Sequence, residues 1–312
     1  MPANERTLLI VGANGFAGRH LAEAAQDRGT RVVRATRDRR GDLTVDLLDV
    51  GSLERAIATA RPTHVANLAG RASVGASWRE PAGAFEVNVI GAVNVLEAVR
   101  RQQPRAHVLC VSSGEVYGGP EGSALPARED DPLRPLNPYG ASKAALEIAC
   151  SLYAETRDLR IAVIRAFNQI GPGQSDSFVA ADFARQIASA EQAGGQPVRL
   201  ATADTAAARD FTDVRDMARA YMLVIERELV GTFNACSEKA MRISELIDQM
   251  AGAAGIPVEF EVDPVKLRPA EAPVLYGSAE RLREATGWKP EIPLEQTLND
   301  LLDWWRAELA HS

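Results

Sequence analysis

The sequence predicts an α/β fold: a doubly wound parallel sheet followed by a smaller C-terminal domain. Short apolar, β-branched runs alternate with longer amphipathic stretches through the first half, the pattern of parallel strands joined by crossover helices. The first run breaks at Gly12 and passes directly into a stretch with helical spacing. After residue 168 the texture changes, as Gly171-Pro172-Gly173 opens a loop and prolines become frequent.

Each element follows from local pattern. Thr7 to Val11 reads as the first strand, and Phe16 to Arg28 as a helix because Phe16, His20 and Ala24 recur at helical spacing. Further strands are predicted at Arg31 to Ala35, His64 to Leu68, His107 to Ser112 and Arg160 to Ala166. Helices are predicted between them, at about 52–59, 82–101 and 138–157. The second half gives helices near 178–190, 212–227 and 244–254, a strand at Gly231 to Ala235, and a terminal helix from about Leu294 to Leu309. The expected division is a doubly wound domain over 1–168, rejoined by about 212–236, and a smaller domain mainly over 169–312.

Composition bounds the function. The 312 residues carry 35 Lys and Arg against 42 Asp and Glu, a net charge of -7 with no basic tail. A general binder of nucleic-acid backbone is therefore not expected. Only Lys143, Lys239, Lys266 and Lys289 are lysines; the other thirty-one cations are arginines. Cys110, Cys150 and Cys236 are scattered and odd in number, which suggests neither a disulfide framework nor a metal site. With no apolar run near the roughly 18 residues of a membrane span, a cytoplasmic protein without a membrane partner is expected.

Three motifs carry chemistry. Gly12-Ala13-Asn14-Gly15-Phe16-Ala17-Gly18 follows a strand and opens a helix, where glycines allow a tight turn and close approach of a pyrophosphate to the helix N-terminus. The first domain, 1–168 with about 212–236, is then expected to be a dinucleotide-binding domain of Rossmann type, which leaves 169–312 mainly for the substrate. At the end of the second strand stand Thr36-Arg37, with Arg39 and Arg40 beyond; arginine suits the 2′-phosphate of NADP(H), although neighbouring Asp38 keeps NAD(H) open. Tyr139 and Lys143 form a Tyr-x-x-x-Lys pair on one helix face, where an ammonium can lower the tyrosine pKa for proton exchange with a substrate oxygen. Ser112-Ser113, at the end of a strand, can hold that same oxygen.

With these motifs the chain resembles the extended short-chain dehydrogenase/reductases, the NAD-dependent epimerase/dehydratase family, that act on nucleotide sugars. The resemblance runs from Gly12 to Gly287-Trp288-Lys289-Pro290. It implies that Asp46 and Leu47 meet the adenine, that Leu68, Ala69 and Gly70 line the dinucleotide, and that Asn88 falls near the nicotinamide. Asn67 stands where many members carry histidine.

In the second half, Arg165 to Gln174, Arg209 to Asp216 and Leu267 to Glu271 look like the branch that handles GDP-mannose derivatives. Carried over residue by residue, Asn168, Arg209 and Arg268 would bind the diphosphate and Glu271 the ribose hydroxyls, with Val179 also facing the substrate.

The resemblance implies an NAD(P)-dependent oxidoreductase that reduces the 4-keto group of GDP-4-keto-6-deoxy-D-mannose, giving GDP-D-rhamnose. Ser113, Glu115, Tyr139 and Lys143 would be catalytic, Glu115 contacting sugar hydroxyls. GDP-mannose 4,6-dehydratase is the alternative, because Glu115 falls where dehydratases place their base. Against it, Ser113 replaces the usual threonine, Gly114 offers no acid, and Ala180-Ala181-Asp182 follows Phe178-Val179 where basic residues are usual. A nucleotide-sugar 4-epimerase and a dinucleotide-binding regulator are the remaining readings. The resemblance also suggests a homodimer through the helices at about 82–101 and 138–157.

Overall fold

The computed structural model describes residues 6–119, 125–194, 198–202, 205–262 and 272–311. In chain order the strands are β1 (Thr7–Val11), β2 (Arg31–Thr36), β3 (Leu43–Thr44), β4 (His64–Asn67), β5 (His107–Ser113), β6 (Arg160–Ala166), β7 (Asn168–Ile170), β8 (Val198–Thr202), β9 (Ala208–Asp213), β10 (Gly231–Ala235), β11 (Ala240–Arg242), β12 (Val258–Val262) and β13 (Val274–Leu275). The helices are α1 (Phe16–Gln26), α2 (Val50–Ala60), α3 (Val74–Arg79), α4 (Pro81–Phe85), α5 (Gly91–Gln102), α6 (Pro138–Arg157), α7 (Val179–Gln192), α8 (Val214–Glu226), α9 (Ile243–Ala254), α10 (Glu280–Thr286) and α11 (Leu294–Ala310). A π-helical turn, Glu86–Ile90, joins α4 to α5.

Seven strands form one parallel sheet in the order β10-β6-β5-β4-β1-β2-β3. Alternation of side chains along each strand feeds two cores. Leu8 and Ile10 of β1 join Leu21, Met217, Tyr221 and Trp288 on one face. Leu9 and Val11 join Leu53, Ile57, Leu96 and Leu146 on the other. Helices therefore cover both faces, and the strand order reverses between β1 and β4, where the carboxyl ends of such a sheet leave a crevice.

A third core, including Ile170, Phe183, Phe211, Leu246 and Leu301, gathers α7, α9 and α11 around short strands. Its loop Gly171 to Gln174 folds back onto α1: Arg19 Nη2 donates to the Gly173 carbonyl at 2.8 Å, and His20 Nε2 lies 3.1 Å from that of Pro172.

One expected boundary needs correction. The helix expected over 212–227 begins only at Val214, because Thr212 and Asp213 complete β9 and the Asp213 carboxylate caps α8 by accepting from the Arg215 amide at 2.7 Å. The segment Pro81–Gln102 has the length and mean composition of a membrane span, although Glu86, Asn88, Asn94 and Glu97 interrupt its apolar residues and part of it is buried in the fold.

Candidate active site

The site grows from the carboxyl ends of β1, β4 and β5. After Val11 the chain turns at Gly12, whose φ of +88° belongs to the left-handed region that favours glycine. A side chain there would also meet the Ala69 backbone at 2.8 Å, so the turn packs directly on the loop after β4. At Gly18 a Cβ would lie 2.2 Å from the Gly12 carbonyl oxygen, so the first turn of α1 can close on the loop only without one. Gly15 is the N-cap of α1: no side chain caps the helix and no acidic residue sits in its first turn. That open N-terminus suits an anion. Phe16 stacks edge-on against His20. Below, the buried Oδ1 of Asn67 has no hydrogen-bond partner. This cradle of close glycines, bare helix N-terminus and orphaned amide fits a dinucleotide.

The far end of the cradle is charged. Arg37 and Arg39 are exposed, while Asp38 accepts from Asn14 Nδ2 at 2.9 Å and from Arg40 Nε at 2.7 Å. Against desolvation that would raise it, the bonds from Arg40, Thr36 and Asn14 hold the Asp38 carboxyl down to about 2. Asp38 is thus occupied by its own turn. Asp46 Oδ1 accepts from the Leu48 amide at 3.0 Å, and Asn94 Nδ2 fixes the Leu47 carbonyl at 2.8 Å, so both residues shape a loop beside β2 and β3.

Helix α6 presents Tyr139 and Lys143 to the same crevice. Asn137 is its N-cap, accepting from the Gly140 amide at 2.8 Å, and Pro138 fills N1, where no amide is needed. The same Asn137 donates through Nδ2 to Glu115 Oε2 at 2.7 Å, which joins the helix start to the turn after β5. The Tyr139 amide donates to Ser77 Oγ at 3.1 Å. Lys143 Nζ lies 5.9 Å from the centroid of the Tyr139 ring and donates to the Val111 carbonyl at 2.8 Å.

Burial governs the ionisation of both. The Tyr139 phenol is pushed up to about 12 by desolvation; a hydrogen bond with Ser113 works the other way and nearby Glu115 adds to the rise. This corrects the expectation of a lowered phenol. Lys143 is buried beside it and falls to about 8 through desolvation, partly opposed by Cys110, Cys150 and Glu147. An acid that keeps its proton at neutral pH therefore sits beside an ammonium that is easily discharged.

Asn88 lies under the loop after β4. It is buried, its Oδ1 accepts from the Arg71 amide at 2.8 Å, and its Nδ2 donates to the Arg71 carbonyl and to Ser142 Oγ. It braces the Gly70-Arg71 turn from beneath; a Cβ on Gly70 would stand 2.8 Å from Asn88 Oδ1 and 3.6 Å from Lys143 Nζ.

The structure thus brings Gly12, Gly15, Gly18, Ala69, Asn88, Ser113, Glu115, Tyr139 and Lys143 to one edge. The substrate candidates come from elsewhere. Asn168 is half-buried in β7, Val179 opens α7, and Arg209 is buried in β9, where its Nη1 donates to the Ala208 carbonyl at 2.9 Å. Arg268 and Glu271 lie outside the described residues. A separate cleft of about 1000 Å³, lined by Phe211, Lys239, Met241, Glu291, Leu294 and Leu298 among others, contains none of the candidate catalytic groups. Chemistry rather than cavity size locates the site.

Ser77, Asn137, Glu147 and Arg165 were missed from sequence. Asn137-Pro138 before the Tyr/Lys helix was a readable N-cap signal, and Glu147 follows Tyr139 and Lys143 at four-residue spacing on the same helix; Ser77 and Arg165 meet the site only through tertiary contact.

The chain resembles known proteins along nearly its whole length. The chain is 38% identical to GDP-6-deoxy-D-mannose reductase of Pseudomonas aeruginosa over 97% of its own length and 98% of that protein's. It is 28% identical to GDP-mannose 4,6 dehydratase 2 of Arabidopsis thaliana over 83% and 69% of the two chains. Among solved structures, RMD from Pseudomonas aeruginosa complexed with NADPH superposes with a TM-score of 0.86 at 36% identity, over 97% of this chain and 99% of that one. The UDP-glucose 4-epimerase of Thermus thermophilus in complex with NAD gives 0.84 at 31% identity, over 96% and 99%. Since the GDP-mannose 4,6 dehydratase family profile matches residues 9–301, spanning both the glycine turn and the Tyr/Lys helix, the chain belongs to that family.

Proposed function

We propose that the protein is an NADPH-dependent reductase of the 4-keto group of GDP-4-keto-6-deoxy-D-mannose, forming GDP-D-rhamnose. The observation that carries this reading is the buried Tyr139 phenol, protonated at neutral pH, hydrogen bonded with Ser113 and flanked by Lys143. Full-length similarity to a GDP-6-deoxy-D-mannose reductase supports the substrate, and the NADPH-bound neighbour supports the cofactor.

Bound NADPH supplies the hydride that reaches the keto carbon. Tyr139 gives its proton to the oxygen as charge develops there, and Ser113 hydrogen bonds the same oxygen. The Lys143 ammonium, oriented by the Val111 carbonyl, stabilises the phenolate left behind. Glu115, steadied by Asn137, faces sugar hydroxyls. Asn168, Val179, Arg209, Arg268 and Glu271 complete the substrate side, with guanidinium forks for the diphosphate.

Gly12, Gly15, Phe16 and Gly18 hold the pyrophosphate, Asp46, Leu47, Leu68 and Ala69 the adenosine half, and Arg37 the 2′-phosphate. Asn88 supports the nicotinamide loop from below. The division at 168/169, with 212–236 returning to the first domain, is part of the reading; it is supported by β10 pairing with β6.

A dehydratase is the second reading, favoured by the Glu115 carboxylate beside Tyr139. The test is NADPH absorbance in the presence of the 4-keto sugar nucleotide. Stoichiometric oxidation, lost in Tyr139→Phe with cofactor binding intact, supports the reductase; conversion of GDP-mannose without net cofactor use would favour the dehydratase.

The same reading includes a homodimer. Phe85 and Ile90 in the Pro81–Gln102 segment, and Ile148 and Leu152 one turn apart on the neighbouring α6, are exposed large apolar residues. Sedimentation should find a dimer that Ile148→Glu converts to monomer; a monomeric wild type would reject it. The net charge and buried free cysteines support a cytoplasmic protein without nucleic-acid or membrane partners.

A further inference from the structure

Behind the reaction site lies a buried polar cluster that the proposed chemistry does not use. Ser112 of β5, Arg165 of β6 and Asn234 of β10 stand in register across three adjacent strands, so they share one face at the edge that carries the site. All three are buried, as is Glu147 of α6. The Arg165 guanidinium grips Glu147 through Nε at 3.0 and 3.1 Å and through Nη2 at 2.7 Å. Ser112 Oγ donates to the same carboxylate at 2.5 Å. Arg165 Nη1 reaches the Tyr117 hydroxyl at 2.7 Å and the Glu129 carbonyl at 2.9 Å, and its plane lies 4.9 Å from the Tyr117 ring centroid. Tyr117 in turn donates to Asn234 Oδ1 at 2.7 Å.

Each arm of the guanidinium ends next to a candidate catalytic group. Glu147 is one helical turn after Lys143 and two after Tyr139. Ser112 precedes Ser113, the last residue of β5. Tyr117 follows the short helical turn Gly114–Val116 that carries Glu115. Removing a buried ion pair together, and replacing it with apolar side chains of similar volume, is often neutral for stability. Its position here, touching three elements of one site, therefore needs a role other than stability. We propose that the Arg165–Glu147 pair is a positioning device that fixes Ser113, Glu115, Tyr139 and Lys143 in a single reactive geometry. The proposal rests on the reading of Tyr139 and Lys143 as the reacting pair. Displacements of about 1 Å can cost a hundredfold in rate, so loss of this clamp appears in turnover before binding.

The test uses Arg165→Met/Glu147→Leu, with wild type and Tyr139→Phe in parallel. Expected are a melting temperature close to wild type, NADPH affinity within about threefold, KM for the 4-keto substrate little changed, and kcat lowered roughly 30-fold or more, with a larger primary isotope effect from NADPH deuterated at the transferred position. A folded double variant with wild-type kcat overturns the proposal. Should the double variant not fold, Glu147→Gln and Tyr117→Phe preserve volume and decide: each is expected to lower kcat several-fold, and wild-type kcat in both overturns it.

A readout independent of turnover separates this proposal from the reading of function. Lys143 is one of four lysines, so its Cε resonance can be followed in protein labelled with ¹³C-lysine. Its ammonium faces Glu147 and Cys150 on its own helix, Cys110 of β5, and Tyr139. Glu147→Gln removes the one carboxylate of that set, and the Lys143 titration should move down by at least about half a unit. An unmoved titration overturns the clamp even if the wild type reduces nothing; a moved titration with an inactive wild type rejects the 4-keto reductase and leaves the clamp.

Discussion

Lys143 donates to the Val111 carbonyl at 2.8 Å, which aims its ammonium from the middle of α6 across the end of β5. That bond orients a charge that burial has made easy to lose, since desolvation drops its pKa from the ordinary 10.5 to about 8. The pH dependence of the reaction follows from this pair.

As pH rises through about 8 the free enzyme loses the Lys143 proton, so kcat/KM should fall tenfold per unit above it. Lys143→Met should be slow and lack this limb. The stability consequence has a definite sign. The folded pKa is below the unfolded one, so the native state is penalised for holding the ammonium at low pH and gains stability between about 8 and 10.5. A kcat/KM profile flat to pH 10 would remove Lys143 from the reaction.

Gly18→Ala places a Cβ 2.2 Å from the Gly12 carbonyl oxygen, with rigid backbone on both sides. The turn must open, and NADPH affinity should fall at least about tenfold, with a stability loss of roughly 1–3 kcal/mol from overpacking. Gly252→Ala, inside α9 with nothing within 4 Å of the new methyl, should raise stability by up to about 1 kcal/mol through helix propensity. Calorimetry and a fluorescence titration of both variants check the contrast.

Arg37 is exposed at the end of β2, and Asp38 beside it is already engaged by Asn14 and Arg40. Arg37→Glu should therefore weaken NADPH about tenfold or more while leaving NADH within about twofold. Equal loss for both cofactors would assign Arg37 to the fold of the turn instead.

At the amino ends of β4 and β5, the rings of His64 and His107 lie 5.8 Å apart between centroids, tilted by 56°. Desolvation lowers both, His64 to about 4, with each partly supported by Glu228. Their unfolded values lie near 6.5, so the unfolded chain binds more protons as pH falls. Stability should be lost between about 6.5 and 4, on the order of 2 kcal/mol for His64 after allowance for solvent screening. His64→Gln should flatten urea midpoints across that window; an unchanged slope would count against it.

Much of this was legible in the chain because it is local. β1, β6, β10 and α6 fall where β-branched runs and helical spacing place them, and the glycine turn was readable because a strand must stop there and a helix start. The Tyr139/Lys143 spacing is likewise a property of one helix. The strands β9 and β13 escaped notice, since β13 has only two residues and the charged Arg209, Asp210 and Asp213 of β9 break the apolar pattern.

The sequence by itself determined which groups could do chemistry; tertiary structure decided what state they are in. Tyr139 keeps its proton because it is buried against Ser113 and Glu115, a desolvation that no spacing rule contains. Asn88 braces the Gly70-Arg71 turn because the π-helical turn carries its amide inward to Arg71 and Ser142. The Arg165–Glu147 clamp, too, exists only where β6 and α6 meet. Covalent order fixes residue types and local periods, whereas dielectric surroundings and long-range contacts are set by packing.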